Sequence, residues 1–356
     1  MHIGLMMDCD YREGRTQREA FDEAFAMAEA AEAGGFRGVW LAERHFAPPG
    51  GTGPIPSVAS APLLFATAIA ARTSQLRVGT AVLVLPLGHP VRMAEEVATL
   101  DNISQGRFDL GIGRSSFPRS YEGYDVPYAE SRDRFEEFLH VMRLAFTEER
   151  FSYAGKYYTF RDVCMIPKPY QSPPPPLRAA ATTRETFGVM GRLGLPIFAS
   201  LGTALLADIA PALQDYRVAW HDAGHPGDGD VVLRLPVYVA ATMEKARSEP
   251  EASTMHHYNR LRQAFLRSAS AAEGEARATR AERLTTLTYA DVLRERVVFG
   301  TPDHVVDRLQ TLIDSLGLSG LIMEGNTGGR IPPECVLQSI RLFGREVAPR
   351  LRAVAA

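Results

Sequence analysis

The sequence has few cysteines and no long apolar run. Three of its 356 residues are cysteine (Cys9, Cys164 and Cys335), and no two of them form a CxxC pair. An odd and scattered set is typical of a reduced protein rather than of a disulfide framework, which predicts a cytoplasmic location. No window of about 18 uncharged apolar residues occurs, so we expect no membrane-spanning helix. The opening MHIGLMMDCD lacks the basic region and cleavage site of a signal peptide, and we expect none.

The chain also lacks a basic surplus, a dinucleotide fingerprint and a metal motif. Its 39 Lys and Arg against 42 Asp and Glu leave a net charge of −3, which argues against nucleic acid as a partner. GIGRSS lacks the third glycine of GxGxxG. His221 and His225 have HxxxH spacing, but Gly224 and Pro226 break the helix that would aim both rings at one ion, so no metal site is predicted.

What the sequence does contain is a repeated alternation of strand and helix. The predicted strands are His2–Met7, Gly38–Ala42, Leu76–Pro86, Arg107–Gly113, Pro176–Thr182, Leu195–Ser200, Leu233–Ala240 and Gly320–Gly325. They are continuous apolar runs, as in a parallel sheet covered on both faces. Eight such units predict an α/β fold, a single (β/α)8 TIM barrel spanning residues 1–356. An open doubly wound sheet is the alternative, but it seldom carries eight units in one chain.

Two insertions interrupt the predicted barrel. Residues 151–175, before the fifth strand, contain the hairpin-like FSYAGKYYTF and run into PKPYQSPPPP, residues 167–176, with six prolines in ten residues. That composition predicts a stiff extended connector rather than a strand. Residues 243–296, between the seventh and eighth strands, are predicted to be helical but polar. They form either a lid over the barrel mouth or a plain surface excursion.

Polar side chains follow the predicted strands at their carboxyl ends, where barrels build their active sites. The second strand ends in Glu43, Arg44 and His45. A lone histidine in such a place would most often cap the strand. With an acid and a base beside it, His45 becomes a candidate functional residue instead.

Two further strand ends carry groups that suit an anion. Arg114 lies in GRSS after the fourth strand, where it either pairs with a neighbouring acid or, beside two hydroxyls, binds a phosphate. Thr182 and Thr183 end the fifth strand. Thr183 is predicted either to cap the next helix or to hold an anion at the helix start, and the two roles are compatible.

A family resemblance emerges from longer segments. LAERHF, GTAVLVLPLGHPVRMAEEVATLDNISQGRFDLGIGRS, ATTRETFGVMGRLGLPIFAS and VFGTPDHVVDRL occur in this order. Together they resemble the bacterial luciferase-like flavin monooxygenases, specifically the luciferase α-subunit, from about residue 2 to residue 350. The resemblance implies a cofactor, reduced FMN supplied by a separate flavin reductase. It also implies a reaction with dioxygen that oxygenates an aldehyde, a ketone or a natural-product intermediate through a flavin hydroperoxide.

The resemblance also implies a cofactor-binding set. Its members are Glu43, Ala81, Val82, His89, Arg114, Thr182 and Thr183. In the family, the residue matching Arg114 and the pair matching Thr182 and Thr183 meet the FMN phosphate. The family also has a non-prolyl cis peptide under the flavin ring, which matches the Ala81–Val82 step. His89 belongs to the HPVR motif and either reaches the site or fixes the start of the following helix.

Two departures from luciferase change the expected chemistry. Luciferase has two adjacent histidines where this chain has Arg44 and His45, and the first of them is its catalytic base. An arginine cannot act as a base near neutral pH. We therefore expect His45 and Arg44 to be the catalytic residues, with Arg44 stabilising an anionic oxygen by its charge. Gly113 replaces a reactive cysteine, and light emission from a long-chain aldehyde is not expected.

The remaining expectations concern the substrate pocket, the assembly and two alternatives. A mainly apolar pocket is predicted from Cys9, Tyr11, Phe46, Phe117 and Ser200. The family implies a homodimer. The alternatives are a deazaflavin-dependent dehydrogenase on the same barrel and a non-catalytic flavin-binding partner subunit. The absorbance of the bound cofactor and turnover with reduced FMN discriminate among them.

Overall fold

The protein was analysed as a computed structural model that describes residues 1–10, 14–46, 57–115, 117–200, 205–267, 282 and 284–353. Within these ranges, eight parallel strands form a closed barrel surrounded by helices, which confirms the predicted TIM barrel. None of the helices in the described ranges is both long and apolar enough to cross a membrane.

The secondary structure elements follow the predicted alternation. The strands are β1 (His2–Met7), β2 (Gly38–Leu41), β3 (Arg77–Thr80), β4 (Leu83–Val84), β5 (Phe108–Gly113), β6 (Phe151–Ala154), β7 (Thr159–Val163), β8 (Leu177–Ala181), β9 (Ile197–Ser200), β10 (Val231–Val239), β11 (Val298–Gly300) and β12 (Gly320–Glu324). The helices are α1 (Gln17–Ala33), α2 (Pro62–Arg72), α3 (Pro90–Ile103), α4 (Pro118–Gly123), α5 (Ser131–Thr147), α6 (Arg184–Arg192), α7 (Leu206–Asp222), α8 (Met243–Arg267), α9 (Tyr289–Glu295), α10 (Pro302–Leu316) and α11 (Pro333–Leu342). The barrel order is β1, β2, β3, β5, β8, β9, β10 and β12.

The chain divides into two compact units. The first comprises Met1–Val39, Ala47–Val58 and Ala181–Ala356, and the second comprises Trp40–Phe46 and Ala59–Ala180. The prediction of a single domain stays a prediction.

In the first unit, β12 pairs in parallel with both β1 and β10. Met323 lies opposite Leu5 on one side and Leu235 on the other, and all three side chains are buried. Such burial explains why these strands appear in the sequence as largely apolar runs. The shared register also brings Asp8, which follows β1, to the same end of the sheet as Glu324 of β12.

In the second unit, the predicted third strand is divided. β3 ends at Thr80, the Ala81–Val82 bond is a non-prolyl cis peptide, and β4 resumes at Leu83. Both pieces pair in parallel with β5. The buried Thr80 hydroxyl donates to the carbonyl of Gly111 at 2.7 Å, which ties the end of β3 to β5. Local hydrophobicity does not mark the division, because Ala81 and Val82 at the break are themselves apolar.

The first insertion contains the predicted hairpin. β6 and β7 pair as an antiparallel hairpin. The Glu137 carboxylate of α5 accepts hydrogen bonds from the amides of Lys156, Tyr157 and Tyr158, which fixes the hairpin turn. Residues 164–176 are all described and contain no strand, and the Ile166–Pro167 and Ser172–Pro173 bonds are cis. The hairpin is therefore confirmed, as is the prediction that the connector is not a strand, whereas its stiff extended form stays a prediction.

The second insertion is mainly helical where it is described. α8 runs for 25 residues and α9 for seven. Residues 268–281 and 283 of the predicted lid lie outside the described residues. β11 follows the insertion and was not predicted. Its three residues pair with the end of β10, Val298 lying opposite Val237.

Candidate active site

The segment after β2 is held by backbone contacts within the second unit. The amide of Ala81 donates to the carbonyl of Leu41 at 2.7 Å, and the amide of Arg44 donates to the carbonyl of Ala59 at 3.1 Å. The side chain of Glu43 then accepts a 2.7 Å hydrogen bond from the amide of Val84 through Oε2. Glu43 is thereby fixed to β4, immediately after the cis peptide.

His45 lies between an acid and a phenol. Its Nε2 is 2.6 Å from Glu43 Oε1, and its Nδ1 is 3.3 Å from the hydroxyl of Tyr124. A carboxylate can only accept, so in the neutral imidazole Nε2 carries the proton and Nδ1 accepts from Tyr124. Only 5% of the His45 side chain is exposed. The structure thus supports a functional environment for His45 rather than an isolated strand cap.

Tyr124 and Phe46 complete an aromatic wall around His45. The Tyr124 ring packs edge-on to the imidazole, with 4.9 Å between centroids, and the Phe46 ring lies 5.4 Å from that of Tyr124. Phe46 has a left-handed backbone, with φ of 53°. A Cβ on Gly123 would lie 2.1 Å from the Phe46 ring, so only glycine fits there. Burial and the charge of Glu43 raise the pKa of Tyr124, which keeps the phenol protonated.

Arg44 points to a different aromatic side chain. Its guanidinium carbon lies 5.7 Å from the ring centroid of Phe117, a cation–π distance. The amide of Phe117 in turn donates to the hydroxyl of Ser115 at 3.2 Å. The structure therefore brings one predicted catalytic residue, Arg44, to one predicted pocket residue, Phe117.

Arg114 follows β5 and is held by hydroxyl groups. Its Nη1 donates to the hydroxyl of Ser131 at 3.3 Å, and its carbonyl accepts a hydrogen bond from Tyr121. Burial raises the pKa of Tyr121, and Tyr128 packs edge-on against its ring. Sequence reasoning did not single out Ser131 or Tyr121. The first position of α5 and the YEGY motif were the available signals.

Gly113 has a steric reason to be glycine. A Cβ at this position would lie 2.4 Å from Cγ2 of Val82, the second residue of the cis peptide. Such a distance is well inside van der Waals contact, so a side chain at residue 113 would displace Val82. The predicted cis bond at Ala81–Val82 is confirmed, and its contact with a cofactor stays a prediction.

Thr182 and Thr183 lie in the first unit, where α6 begins. Thr183 is the N-cap residue, but its hydroxyl contacts the hydroxyl of Thr186 at 2.8 Å instead of capping a helix amide. Both predicted threonines are exposed, and Arg184 forms an ion pair with Asp215 beside them. The exposed hydroxyls and the first helix amides are suited to an anion.

His89 occupies the N-cap of α3. Its Nδ1 accepts a hydrogen bond from the amide of Arg92 at 3.3 Å, and its ring packs edge-on to Phe160 at 5.5 Å. These contacts support the second of the two predicted roles, fixing the helix start. Contact of His89 with a cofactor stays a prediction.

The remaining predicted pocket residues belong to the first unit. Cys9 has φ of 51°, its thiol is 3.6 Å from the carbonyl of Met7, and burial together with nearby acids raises its pKa. Ser200 ends β9 and lies opposite Arg234 in the register of the sheet. Tyr11 lies outside the described residues.

A charged cluster in the first unit was not predicted. Arg234 Nη2 lies 2.6 Å from Asp8 Oδ2, and its Nε lies 3.0 Å from Glu324 Oε2. Burial disfavours the guanidinium charge, but the two carboxylates outweigh it and raise the pKa of Arg234. The available signal was an arginine in the otherwise apolar run LRLPVYVA, in a chain whose first and last predicted barrel strands end at the acids Asp8 and Glu324.

A comparison with known families identifies the family to which this chain belongs. The sequence profile of the luciferase-like monooxygenases matches residues 1–319. The chain belongs to the luciferase-like monooxygenase family. The resemblance seen in the sequence is thereby confirmed. Members of the family include flavin-dependent oxygenases.

Individual family members match most of the chain. The alkanal monooxygenase alpha chain of Photorhabdus luminescens is 28% identical over 354 residues, covering 95% of this chain and 93% of that protein. The oxygenase component of the flavin-dependent trigonelline monooxygenase of Acinetobacter baylyi is 25% identical, covering 83% and 81%. The oxygenating constituent of 3,6-diketocamphane monooxygenase from Pseudomonas putida superimposes with a TM-score of 0.83 at 21% identity, covering all of both chains. This last likeness shows the shared fold.

Proposed function

We propose that this family member is the oxygenase component of a two-component, FMN-dependent monooxygenase. It would take reduced FMN from a separate flavin reductase and use dioxygen to oxygenate a small organic substrate. The observation that carries the proposal is the hydrogen-bonded set of Glu43, His45 and Tyr124 at the end of a barrel strand, in a chain of this family. A relative described as the oxygenase component of a flavin-dependent monooxygenase supports the reductase partner.

The residues predicted to bind the cofactor have suitable chemistry. Arg114 provides a guanidinium group already oriented by a hydroxyl. Thr182 and Thr183 add exposed hydroxyls and amides at the start of α6. Cations, hydroxyls and helix amides all suit a phosphate dianion. Ala81 and Val82 would line the ring portion of the flavin.

Bound reduced FMN would supply the electrons that activate dioxygen. The protein would then control charge and protons. Arg44 would stabilise negative charge on oxygen, and His45 would accept a proton, because Glu43 stabilises the resulting imidazolium. Glu43 already accepts one hydrogen bond from Val84, which keeps its carboxylate in position.

The substrate pocket would draw on Cys9, Tyr11, Phe46, Phe117 and Ser200. Its aromatic and small side chains suit an aldehyde, a ketone or a natural-product intermediate. Residues 243–296 would act as a lid. We further propose a homodimer and a cytoplasmic location, as the sequence predicted.

An anaerobic titration with reduced FMN, followed by mixing with dioxygen in a stopped-flow spectrometer, tests the proposal. We expect saturable binding, then a long-lived absorbance distinct from both reduced and oxidised FMN. Binding without such a phase would point to the partner-subunit alternative. Binding of a reduced deazaflavin in preference to reduced FMN would point to the dehydrogenase alternative. The absence of any flavin binding would overturn the phosphate site at Arg114 and Thr183.

A further inference from the structure

The contacts of His45 leave neither of its ring nitrogens free for a ligand. Nε2 is occupied by Glu43 at 2.6 Å and Nδ1 by the Tyr124 hydroxyl at 3.3 Å. The imidazole side chain is 5% exposed, and the carboxylate side chain of Glu43 is 8% exposed. A ligand that needs a base cannot reach either group directly.

Tyr124 differs from both of them in its exposure. It retains 45% of its accessible surface, and it extends from α4 over the edge of the imidazole. The bond directions form one ordered chain in the neutral state. The Tyr124 hydroxyl donates to His45 Nδ1, and His45 Nε2–H donates to Glu43, which also accepts from Val84.

We propose that Tyr124 is the outer end of a proton relay in which His45 is the base and Glu43 the stabilising carboxylate. This rests on the proposed function in so far as an oxygenation reaction supplies the ligand. The sequence predicted His45 to be catalytic without giving it a role, and the geometry adds the phenol through which a proton reaches it.

The relay step transfers protons only and changes no oxidation state. A proton leaves an O–H group of the bound ligand and bonds to Tyr124 Oη, while the phenolic proton leaves Oη and bonds to His45 Nδ1. His45 then carries protons on both nitrogens, and the Glu43 carboxylate lies against the new positive charge. Return of the proton follows the same path in reverse. Two protons therefore move in one transfer.

The first test needs no flavin. The protein is labelled with nitrogen-15 histidine, and the His45 resonances are assigned by comparison with a His45→Gln variant. Tyr124→Phe retains the ring and removes only the hydroxyl, so we expect the Nδ1 resonance of His45 to move toward the value of a nitrogen that accepts no hydrogen bond. Tyr170→Phe is the matched control, since Tyr170 is 60% exposed on the proline-rich connector.

The second test is kinetic and uses reduced FMN and dioxygen as probes. We expect Tyr124→Phe to slow the absorbance phase that follows mixing with dioxygen, the oxygen-dependent phase, by about 100-fold. That is the low end of the usual contribution of a positioned acid or base. Binding of reduced FMN should change less than twofold. In mixtures of light and heavy water, the wild-type rate should require two protons in transit. Tyr124→Phe vacates the place of the hydroxyl beside His45 Nδ1, so the ligand proton should pass straight to that nitrogen and the variant rate should require only one. A purely structural tyrosine would not alter that proton count.

Each result decides the matter. A moved nitrogen resonance together with a slowed, one-proton reaction supports the relay. A moved resonance with an unchanged rate shows a bond that passes no proton, and an unmoved resonance shows no bond; both overturn the relay. If the wild-type protein binds reduced FMN but shows no oxygen-dependent phase, the proposed function fails, and the relay fails with it as a catalytic device.

Discussion

At the scale of single residues, the acid of the relay sets the tautomer of the histidine. In Glu43→Gln, the amide nitrogen would donate to His45 Nε2 while the amide oxygen keeps the bond from Val84. His45 Nδ1 would then carry the proton and face Tyr124 as a donor, which reverses the relay. We expect the oxygen-dependent phase to slow by about 100-fold, measured by stopped flow. Glu122→Gln, at an exposed position of α4, should leave the rate unchanged.

A second residue-scale prediction concerns the glycine beside the cis peptide. Gly113→Ala places a Cβ 2.4 Å from Cγ2 of Val82, and we expect it to lower the free energy of unfolding by about 1–3 kcal/mol. Urea denaturation measures the change. Gly188→Ala is the matched control, because its nearest atom is 3.6 Å away and the residue lies within α6. That change should be neutral or stabilising.

Combining Gly113→Ala with Val82→Ala tests whether the clash with Val82 causes the destabilisation. Val82→Ala removes the methyl group that the new Cβ would meet, so Gly113→Ala in that background should cost clearly less than in the wild type. Equal costs in both backgrounds would mean that the clash is not the source of the destabilisation.

At the scale of elements, the guanidinium group of Arg234 links three strands of the first unit. Arg234 of β10 neutralises Asp8 after β1 and Glu324 of β12. Arg234→Met leaves two part-buried carboxylates close together, and we expect it to lower the free energy of unfolding by about 3–5 kcal/mol. Arg294→Met removes a comparable pair with Asp291 from an arginine side chain that is 63% exposed. It should cost less than about 1 kcal/mol, and equal losses would contradict the argument.

Helix α8 contains a histidine, His256, whose protonation should change the stability of the fold. Burial and the charges of Arg330, Arg260 and His257 lower the pKa of His256 to about 4. Because the folded pKa is lower than the unfolded one, the unfolded chain takes up the proton first and stability is lost as pH falls from about 6.5 to about 4. A nuclear magnetic resonance titration of His256 should give a midpoint near 4. His256→Gln should lose less stability over the same range.

Particular elements show how far the sequence determined these conclusions. The barrel strands were predictable because each is an apolar run several residues long, whereas β11 has only three residues and carries no periodic signal. The Ala81–Val82 cis bond was anticipated only through the family resemblance. Tyr124 was missed because it meets His45 across 79 residues of sequence, a separation at which no spacing rule operates.

Arg234 was missed for a related reason. The ion-pair partners of a single charged residue in an apolar strand cannot be identified from the sequence. The strand registers show that Asp8, after β1, and Glu324, in β12, lie at the same end of the sheet. Features that depend on neighbouring residues alone, such as the hairpin expected from FSYAGKYYTF, were predicted correctly. Roles that depend on contacts between distant segments required the structure.

At the scale of the whole molecule, flavin binding should stabilise the fold by mass action. If FMN is present at about 100 times its dissociation constant and binds only the folded protein, it adds about 2.7 kcal/mol to the free energy of unfolding. The expected result is a higher midpoint in thermal or urea denaturation when FMN is added.

The phosphate assignment predicts which change removes that stabilisation. Arg114→Met should weaken the effect of FMN while leaving any effect of riboflavin, which lacks the phosphate, the same as in the wild type. Arg119→Met, a nearby exposed arginine, is the control and should respond to FMN as the wild type does. Equal loss of the FMN and riboflavin effects in Arg114→Met would show that Arg114 supports the fold of the site rather than the phosphate. The comparison of the two ligands therefore separates charge recognition from structural support.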